Sequence, residues 1–174
     1  MRHKTNDIVE FTIVYNRLKK RLYNYVLKMT SEKLTAEDIV QNVFLKLFEN
    51  YKKIQNKDKI DIWVFKTAKF EVYNFYRGKK TKADQFGVSD IENVEIESNL
   101  DIADIIEIHE LRELILTELE NIPVEQKDVF VLKEFGELNY NEISRVLDLT
   151  EELVKSRLFL ARKKLISRIS KILK

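Results

Sequence analysis

Residues 63–77, WVFKTAKFEVYNFYR, combine six aromatic rings with Lys66, Lys69 and Arg77. On a helix, one broad face collects side chains that we expect to be buried: Val64, Phe65, Ala68, Val72, Phe75 and Tyr76. The opposite face mixes rings, cations and small polar groups: Trp63, Lys66, Thr67, Phe70, Tyr73, Asn74 and Arg77. Since rings stack on unpaired bases and cations hold phosphates, this face predicts contact with single-stranded nucleic acid. The alternative is that Trp63 and Phe70 pack beneath a neighbouring helix.

The preceding segment, TAEDIVQNVFLKLFEN (35–50), predicts a helix that Thr35 caps. Its expected buried stripe is Val40, Val43, Phe44 and Leu47. Its opposite stripe is polar apart from one leucine: Asp38, Gln41, Asn42, Leu45 and Glu49. A single exposed leucine is ordinary. Within a stripe of acids and amides, Leu45 also suits the centre of a protein-docking surface, and both interpretations stay open on the pattern alone.

Residues 140–165 have the spacing of a helix-turn-helix. A first helix ends where Asp148-Leu149 interrupts the apolar pattern, and Thr150 can cap a second helix. The expected inner stripe of that helix is Val154, Leu158, Ala161 and Leu165. Its outer face holds residue types that read base edges and grip phosphates in a DNA groove: Glu152, Lys155, Ser156, Phe159 and Lys163. The turn lacks a glycine, so a plain helical hairpin is the alternative.

Composition limits the remaining possibilities. One proline and three glycines in 174 residues predict an all-α chain, and the lack of cysteine excludes disulfides and Cys-ligated metals. The two histidines, His3 and His109, lie far apart in sequence and give no support for a metal or nucleophile site. No apolar run has the length of a signal core or a membrane span. We therefore expect a cytoplasmic protein without membrane insertion.

Charge divides the chain into blocks. Residues 1–82 carry 19 Lys/Arg and 9 Asp/Glu, whereas residues 83–108 carry 8 acids and no base. Residues 109–154 are acidic again, and residues 155–174 carry 8 bases and no acid. Two basic blocks separated by acidic chain indicate two modules that contact polyanions, although two solvated faces would give the same pattern. The acidic stretch 83–101 lacks a helical stripe and predicts a linker, with about three helices before it and four after it.

These segments together resemble the bacterial extracytoplasmic-function (ECF, group 4) sigma factors of RNA polymerase. The resemblance rests on AEDIVQNVFLKLF, then DIWVFKTAKFEVYNFYRGKK, an acidic linker, and LENIPVEQKDVFVLKEFGELNYNEISRVLDLTEELVKSRLFLARKKL. It implies two small helical domains: a sigma region 2 bundle (1–82) and a region 4 helix-turn-helix domain (105–174), joined by an acidic linker (83–104). It also implies a subunit with no catalytic chemistry, no metal and no cofactor, which directs the polymerase core to promoters.

The resemblance assigns roles to particular residues. It implies that Asp38, Gln41, Asn42 and Leu45 dock on the clamp helices of the polymerase β′ subunit. It implies that the −10 element and its displaced strand are contacted by Asn56, Lys57, Lys59, Trp63, Lys66, Phe70, Tyr73, Arg77, Lys79 and Lys80. It implies that the −35 element is contacted by Glu152, Lys155, Ser156, Phe159, Arg162 and Lys163. The implied partners are the polymerase core, including its β flap, promoter DNA, and an anti-sigma factor or a recruiting protein.

The chain also departs from the family pattern. Phe70 stands where the family often has Asn, which removes a hydrogen-bonding amide near the −10 bases, and Glu71 is expected to repel phosphate. Leu160 stands where many relatives carry a base. These departures predict weak promoter recognition by the chain itself, and they lead to the hypothesis that another protein recruits it to DNA.

Two other classes of protein compete with this interpretation. A helix-turn-helix regulator that binds duplex DNA without polymerase would explain residues 140–165, but not the aromatic and basic face or the polar stripe. A metal-dependent nuclease using Asp58 and Asp61 would need a second pair of converging carboxylates, and the sequence offers no such pair.

Overall fold

The described residues form seven α-helices. The computed structural model describes the backbone of residues 2–82 and 102–174 and the side chains of residues 5–79 and 107–174. The helices are α1 (Arg2–Thr30), α2 (Lys33–Asn50), α3 (Ile60–Lys82), α4 (Ile102–Leu119), α5 (Val124–Glu134), α6 (Tyr140–Leu147) and α7 (Glu151–Ile172). The described residues contain no strand, so the all-α prediction is confirmed, with three helices in the amino-terminal half (α1–α3) and four in the carboxy-terminal half (α4–α7).

The amino-terminal half is a bundle in which α1, α2 and α3 all pack on one another. From α2 it buries Ala36, Ile39, Val43, Phe44 and Leu47. The predicted stripe is therefore largely confirmed, with Val40 partly buried beside it. The predicted cap is wrong, because α2 begins two residues earlier, at Lys33, and the Thr35 hydroxyl donates to the Glu32 carboxylate at 2.8 Å.

The helix α3 buries most of its predicted inner face. Val64, Phe65, Ala68 and Val72 are buried, whereas Phe75 and Tyr76 are partly buried. Before α3, a connection with two short 3-10 turns, Tyr51–Lys53 and Lys57–Lys59, crosses from α2. The Asn56 side chain accepts from the backbone N–H of Asp58 at 3.0 Å and so starts the second turn.

The carboxy-terminal half contains the predicted helix-turn-helix. Asn139 and Glu142 form a capping box at the start of α6, which satisfies backbone donors that the helix leaves free. The Thr150 side chain caps α7 by accepting from the N–H of Leu153 at 3.2 Å, as predicted. Asp148 takes the left-handed conformation (φ 54°) that glycine would otherwise supply, and Asp tolerates it better than most residues. The predicted inner stripe of α7, Val154, Leu158, Ala161 and Leu165, is buried.

The two halves pack directly against each other. The rings of Tyr25 (α1) and Phe65 (α3) lie 5.9 Å apart in the shared core. Gly136, in the turn after α5, approaches Phe65 so closely that an added Cβ would lie 3.2 Å from the ring. The Arg21 guanidinium of α1 donates to the carbonyls of Gly136 and Glu137 at 3.0 and 3.3 Å. One continuous core therefore spans both halves.

The predicted linker, 83–104, falls mainly on residues 83–101, which lie outside the described residues. The first residues of α4, from Ile102, are helical, so the last three residues of that range belong to a helix.

Candidate functional site

The polar stripe of α2 faces solvent. Asp38, Gln41, Asn42 and Leu45 are all exposed, and the Leu45 side chain is 54% exposed. Leu45 also borders a cleft of about 620 Å³ between α1 and α2, whose lining includes Phe11, Tyr15, Phe44 and Phe48. The sequence analysis missed the α1 side of this cleft. The signal was present in the exposed Phe48, three residues after Leu45, and in aromatic residues of α1 at helical spacing.

The connection between α2 and α3 presents its polar residues to solvent. Asn56, Lys57 and Lys59 are exposed. Lys57 pairs with Glu10 of α1, and its ammonium group lies 4.7 Å from the centroid of the Tyr51 ring. The Glu10 carboxylate raises the pKa of Lys57 above its usual value through a hydrogen bond. Lys57 therefore stays charged at neutral pH.

The mixed face of α3 is only partly free. Phe70 is 57% exposed, and Arg77 and Lys79 are exposed. Trp63 and Tyr73 are partly buried against the core, so the expectation that they share an open face with Phe70 is wrong. For Tyr73, the reason is that Asp128 of the carboxy-terminal half contacts this side of α3. The side chain of Lys80 lies outside the described residues.

Three residues of α3 contact the carboxy-terminal half from one stripe. The Lys66 ammonium pairs with the Asp148 carboxylate of the helix-turn-helix turn at 2.8 Å. The Lys69 ammonium donates to the Val146 carbonyl of α6 at 3.5 Å. The Tyr73 hydroxyl donates to the Asp128 carboxylate of α5 at 3.0 Å. Because positions 66, 69 and 73 are three and four residues apart, these contacts follow one edge of the helix.

Asp128 lies at the centre of the contact between the halves and is completely buried. Its carboxylate accepts from the Tyr25 hydroxyl of α1 at 2.9 Å and from the Tyr73 hydroxyl of α3. Burial raises the pKa of Asp128 to about 6, although the two hydroxyls and the charges of Lys69 and Arg157 act in the opposite direction. Sequence reasoning missed Asp128, because one acid in an otherwise amphipathic helix carries no signal of burial.

Glu71, which was expected to repel phosphate, contacts α2. Its carboxylate pairs with Lys46 of α2, and the Glu71 side chain is only 20% exposed. The negative charge beside Phe70 is therefore compensated within the amino-terminal half.

The outer face of α7 is open to solvent. Glu152, Lys155, Ser156, Phe159, Arg162 and Lys163 are all exposed, as the helix-turn-helix pattern predicts. Two of them have partners in the same half. The Arg162 guanidinium pairs with Glu134 at 2.6 Å, and the Lys155 ammonium lies 5.5 Å from the centroid of the Tyr140 ring. The face combines cations, a hydroxyl and an exposed ring, which are groups that a recognition helix uses in the major groove.

The acids considered for a nuclease are not arranged as metal ligands. The Asp61 carboxylate pairs with Arg17 at 2.6 Å and with Arg21 at 3.6 Å. Asp58 lies in the second 3-10 turn, where its N–H is bound by Asn56. Across the described ranges, no three His, Asp or Glu side chains converge in a way that could hold a metal ion.

None of the described helices combines the length and apolar character that crossing a bilayer requires.

Comparison with known families agrees with this arrangement. The model of sigma-70 region 2 matches residues 14–82, and the model of sigma-70 region 4 matches residues 112–165. The ECF RNA polymerase sigma-E factor of Haemophilus influenzae is 21% identical over 99% of this chain and 94% of the relative. The ECF RNA polymerase sigma factor SigM of Bacillus subtilis is 26% identical over 87% of this chain and 90% of the relative.

Two solved structures share the fold. The sigma factor RpoE of Bartonella quintana, in complex with the anti-sigma factor NepR, superposes with a TM-score of 0.70 at 20% identity, covering 92% of this chain and 97% of RpoE. CnrH, in complex with the cytosolic domain of CnrY, superposes with a TM-score of 0.66 at 17% identity, covering 92% of this chain and 88% of CnrH. Both family models, in this order along one chain, and relatives that cover nearly its whole length lead to one conclusion. The chain belongs to the extracytoplasmic-function sigma factors of the sigma-70 family.

Proposed function

We propose that this sigma factor binds the polymerase core through the α2 stripe and guides it to promoters through α3 and α7. The observation that supports this assignment is that one chain exposes both a docking stripe around Leu45 and a recognition face around Lys155. A regulator that binds duplex DNA alone would need only the second of these surfaces.

The docking stripe suits a protein partner. Asp38, Gln41 and Asn42 offer hydrogen-bonding groups around the apolar Leu45, and the adjoining cleft adds aromatic surface from Phe48. A polar rim around an apolar centre is the usual composition of a protein interface. We assign this surface to the clamp helices of the β′ subunit.

The two DNA contacts differ in kind. The exposed face of α7 is assigned to the duplex −35 element, which Lys155, Ser156 and Phe159 would enter through the major groove. The residues named above for the −10 element, from the connection before α3 and from α3 itself, are assigned to that element, whose displaced bases would stack on rings such as Phe70. Lys79, which now pairs with Glu32 at 2.7 Å, would contact the strand backbone.

The partners and the site of action follow from this role. The chain would work in the cytoplasm, where the polymerase core and promoter DNA are found. The relatives CnrH and RpoE are seen in complexes, the latter with the anti-sigma factor NepR. An anti-sigma factor is therefore proposed as a partner of this chain, and a recruiting protein remains the hypothesis that the Phe70 and Leu160 departures motivate.

The purified chain mixed with bacterial RNA polymerase core tests the proposal. We expect comigration on a sizing column and run-off transcripts from part of a promoter library. Comigration without transcripts would keep the docking assignment and point to a missing recruiter. Absence of comigration, with duplex binding by the chain alone, would contradict the proposal and favour a regulator.

A further inference from the structure

The helix α7 continues beyond the part of it that packs in the core. Its last buried residue is Leu165, and Ile169 is partly buried, yet the helix extends to Ile172. Three large apolar side chains after Leu165 face solvent, with exposed fractions of 67% for Ile166, 54% for Ile172 and 69% for Leu173. None of these residues is assigned to polymerase or to promoter DNA in the proposed function.

This segment, which we call the α7 extension, has the sequence of a basic amphipathic helix, KLISRISKILK at residues 164–174. At about 100° per residue, its apolar side chains fall within one arc of roughly 120°, and its lysines and serines lie outside that arc. The segment carries four Lys/Arg and no acid. Arg168 pairs with Glu118 of α4. The three lysines are exposed: Lys164, Lys171 and Lys174.

We propose that the α7 extension binds the surface of a membrane that contains anionic lipids, and that it lies in the plane of that surface with its apolar arc toward the acyl chains. Basic amphipathic helices bind there because their apolar side chains enter the boundary between headgroups and acyl chains, while their lysines contact the lipid phosphates. The contact is with one surface of the bilayer and does not cross it. The inference goes beyond the proposed function and does not depend on it.

Two other partners match the α7 extension less well. Duplex DNA would attract the lysines, but its phosphates would leave Ile166, Ile172 and Leu173 in water. A second copy of the chain would cover these apolar side chains, but it would bring two basic segments without acids together, and like charges repel. An anionic membrane offers both an apolar phase and negative charge, so it matches both properties of the segment.

Charge alone is not expected to hold the α7 extension at a membrane. Each lysine near an anionic surface strengthens binding by roughly fivefold, and salt screens this attraction. The helix α4, which packs on α7, exposes Glu107 and Glu110, and these acids weaken the attraction. The proposal therefore requires insertion of the apolar side chains as well as contact through the lysines.

Cosedimentation of the whole chain with lipid vesicles tests the proposal. The probes are vesicles of phosphatidylglycerol and phosphatidylcholine in equal parts, and vesicles of phosphatidylcholine alone. We expect the chain to bind the anionic vesicles at least about tenfold more tightly, and we expect Ile166→Ser with Leu173→Ser to lose about tenfold or more of that binding. Ile8→Ser with Ile13→Ser, at positions 55% and 62% exposed on α1, is the matched control and should bind as the wild type does. Equal binding of the two double variants, or equal binding of the wild type to both kinds of vesicle, would overturn the proposal.

A dye on the α7 extension reports which face meets the lipid. The chain has no cysteine, so a polarity-sensitive dye can be attached at Leu173→Cys, on the apolar arc, or at Ser167→Cys, on the opposite side of the helix. With anionic vesicles, we expect the emission to shift to the blue at position 173 and to stay unchanged at position 167. Equal responses at the two positions would contradict an oriented helix. Elution of the wild type as a dimer that the Ile166→Ser and Leu173→Ser chain does not form would assign the apolar arc to a second copy instead.

Discussion

At the scale of single residues, Leu45 carries the docking assignment. Because it lies off the buried stripe of α2, Leu45→Asp should abolish binding to polymerase core without unfolding the chain. A charge in the centre of an apolar contact would be buried without a partner, which costs far more than the lost leucine surface. Comigration with core, together with thermal melting of the free variant, measures both effects.

Ile13→Asp is the control for Leu45. Ile13 is 62% exposed, comparable with Leu45, but it lies on α1 and does not line the cleft between α1 and α2. We expect this variant to retain core binding. If both variants keep their affinity for core, or both lose it, the docking surface has been assigned to the wrong place.

Substitutions at Phe70 test the prediction that the chain recognises promoters weakly. That prediction was made because Phe70 stands where the family often has Asn. Phe70→Asn replaces an exposed ring by an amide, and one added hydrogen bond is worth about 1 kcal/mol, or roughly a fivefold gain in affinity. Promoter-DNA affinity of the polymerase complex is the measurement. Phe70→Ala separates the gain of the amide from the loss of the ring. No gain for Phe70→Asn on any promoter DNA would count against the hypothesis of a recruiting protein.

Lys155 distinguishes two ways of holding the −35 duplex. Lys155→Ala should weaken duplex binding by about 1–3 kcal/mol if the ammonium reads a base, and should reduce the salt slope by about one if it only contacts phosphate. Titrations at several salt concentrations separate these cases. Lys171→Ala, at an exposed position near the end of the same helix, is the control for general charge. Equal effects of the two substitutions would remove Lys155 from the recognition surface.

At the scale of elements, the turn after α5 packs tightly both on α5 and on α3 of the other half. Gly136 is buried, and a Cβ there would lie 2.7 Å from the Leu132 carbonyl oxygen and 3.2 Å from the Phe65 ring. Its φ is not positive, so close approach rather than backbone conformation requires glycine. Gly136→Ala should therefore lower the free energy of unfolding by about 1–3 kcal/mol, as overpacking does.

Gly78 gives the matched comparison. Apart from its chain neighbours and the backbone of its own helix, no atom lies within 4 Å of a Cβ built on Gly78, which is in the exposed last part of α3. Gly78→Ala should stabilise the chain by about 0.5–1 kcal/mol, because alanine loses less conformational entropy in a helix. Denaturant unfolding of both variants checks the pair. A neutral Gly136→Ala would contradict the close contacts of Gly136 with Leu132 and Phe65.

Helical periodicity predicted the elements well wherever one face is apolar. The stripe Val154, Leu158, Ala161 and Leu165 and the Thr150 cap were both predictable, because α7 has a strong cap and a regular core face. The start of α2 was not, because Thr35 bonds Glu32 within the first turn instead of capping the helix. The contacts of Trp63 and Tyr73 were not predictable either, since they depend on packing between segments far apart in sequence.

At the scale of the whole molecule, the two halves share one continuous core, and the surfaces proposed for the partners lie outside it. The α2 stripe around Leu45 and the α7 face around Lys155 are exposed together, so the chain could meet polymerase and duplex DNA in this arrangement. The edge of α3 that holds Lys69 and Tyr73 instead contacts α5 and α6 of the carboxy-terminal half.

Protonation of Asp128 gives a prediction for the equilibrium between the closed form, in which the halves pack as in this structure, and an open form, in which they have separated. Burial raises the pKa of Asp128 to about 6 in the closed form, from an ordinary 3.8. Tyr25 of α1, Tyr73, Tyr76 and Lys69 of α3, and Arg157 of α7 act on this carboxyl through hydrogen bonds or charge. The closed form therefore binds the proton more tightly than the open form. Closure is strengthened as the pH falls from about 6 to about 4, and this gain is lost as the pH rises through about 6.

The pH dependence of closure can be measured in the wild-type chain and in an Asp128→Asn control, because the chain has no cysteine that would compete for the dyes. Each pKa unit corresponds to about 1.4 kcal/mol, so closure should be favoured by up to roughly 3 kcal/mol more at about pH 4 than at neutral pH. Energy transfer between dyes on Glu49→Cys of α2 and Lys171→Cys of α7, both exposed positions, reports the closed fraction. Asp128→Asn removes the titrating carboxyl but keeps only one acceptor oxygen for the two tyrosine hydroxyls, so one hydroxyl must reorient. The closed fraction of this variant should not rise as the pH falls, because the ion pair with Lys66 lowers the pKa of Asp148 and acts in the opposite direction. A wild-type response that follows the Asp128→Asn response at every pH would show that Asp128 does not couple protonation to closure.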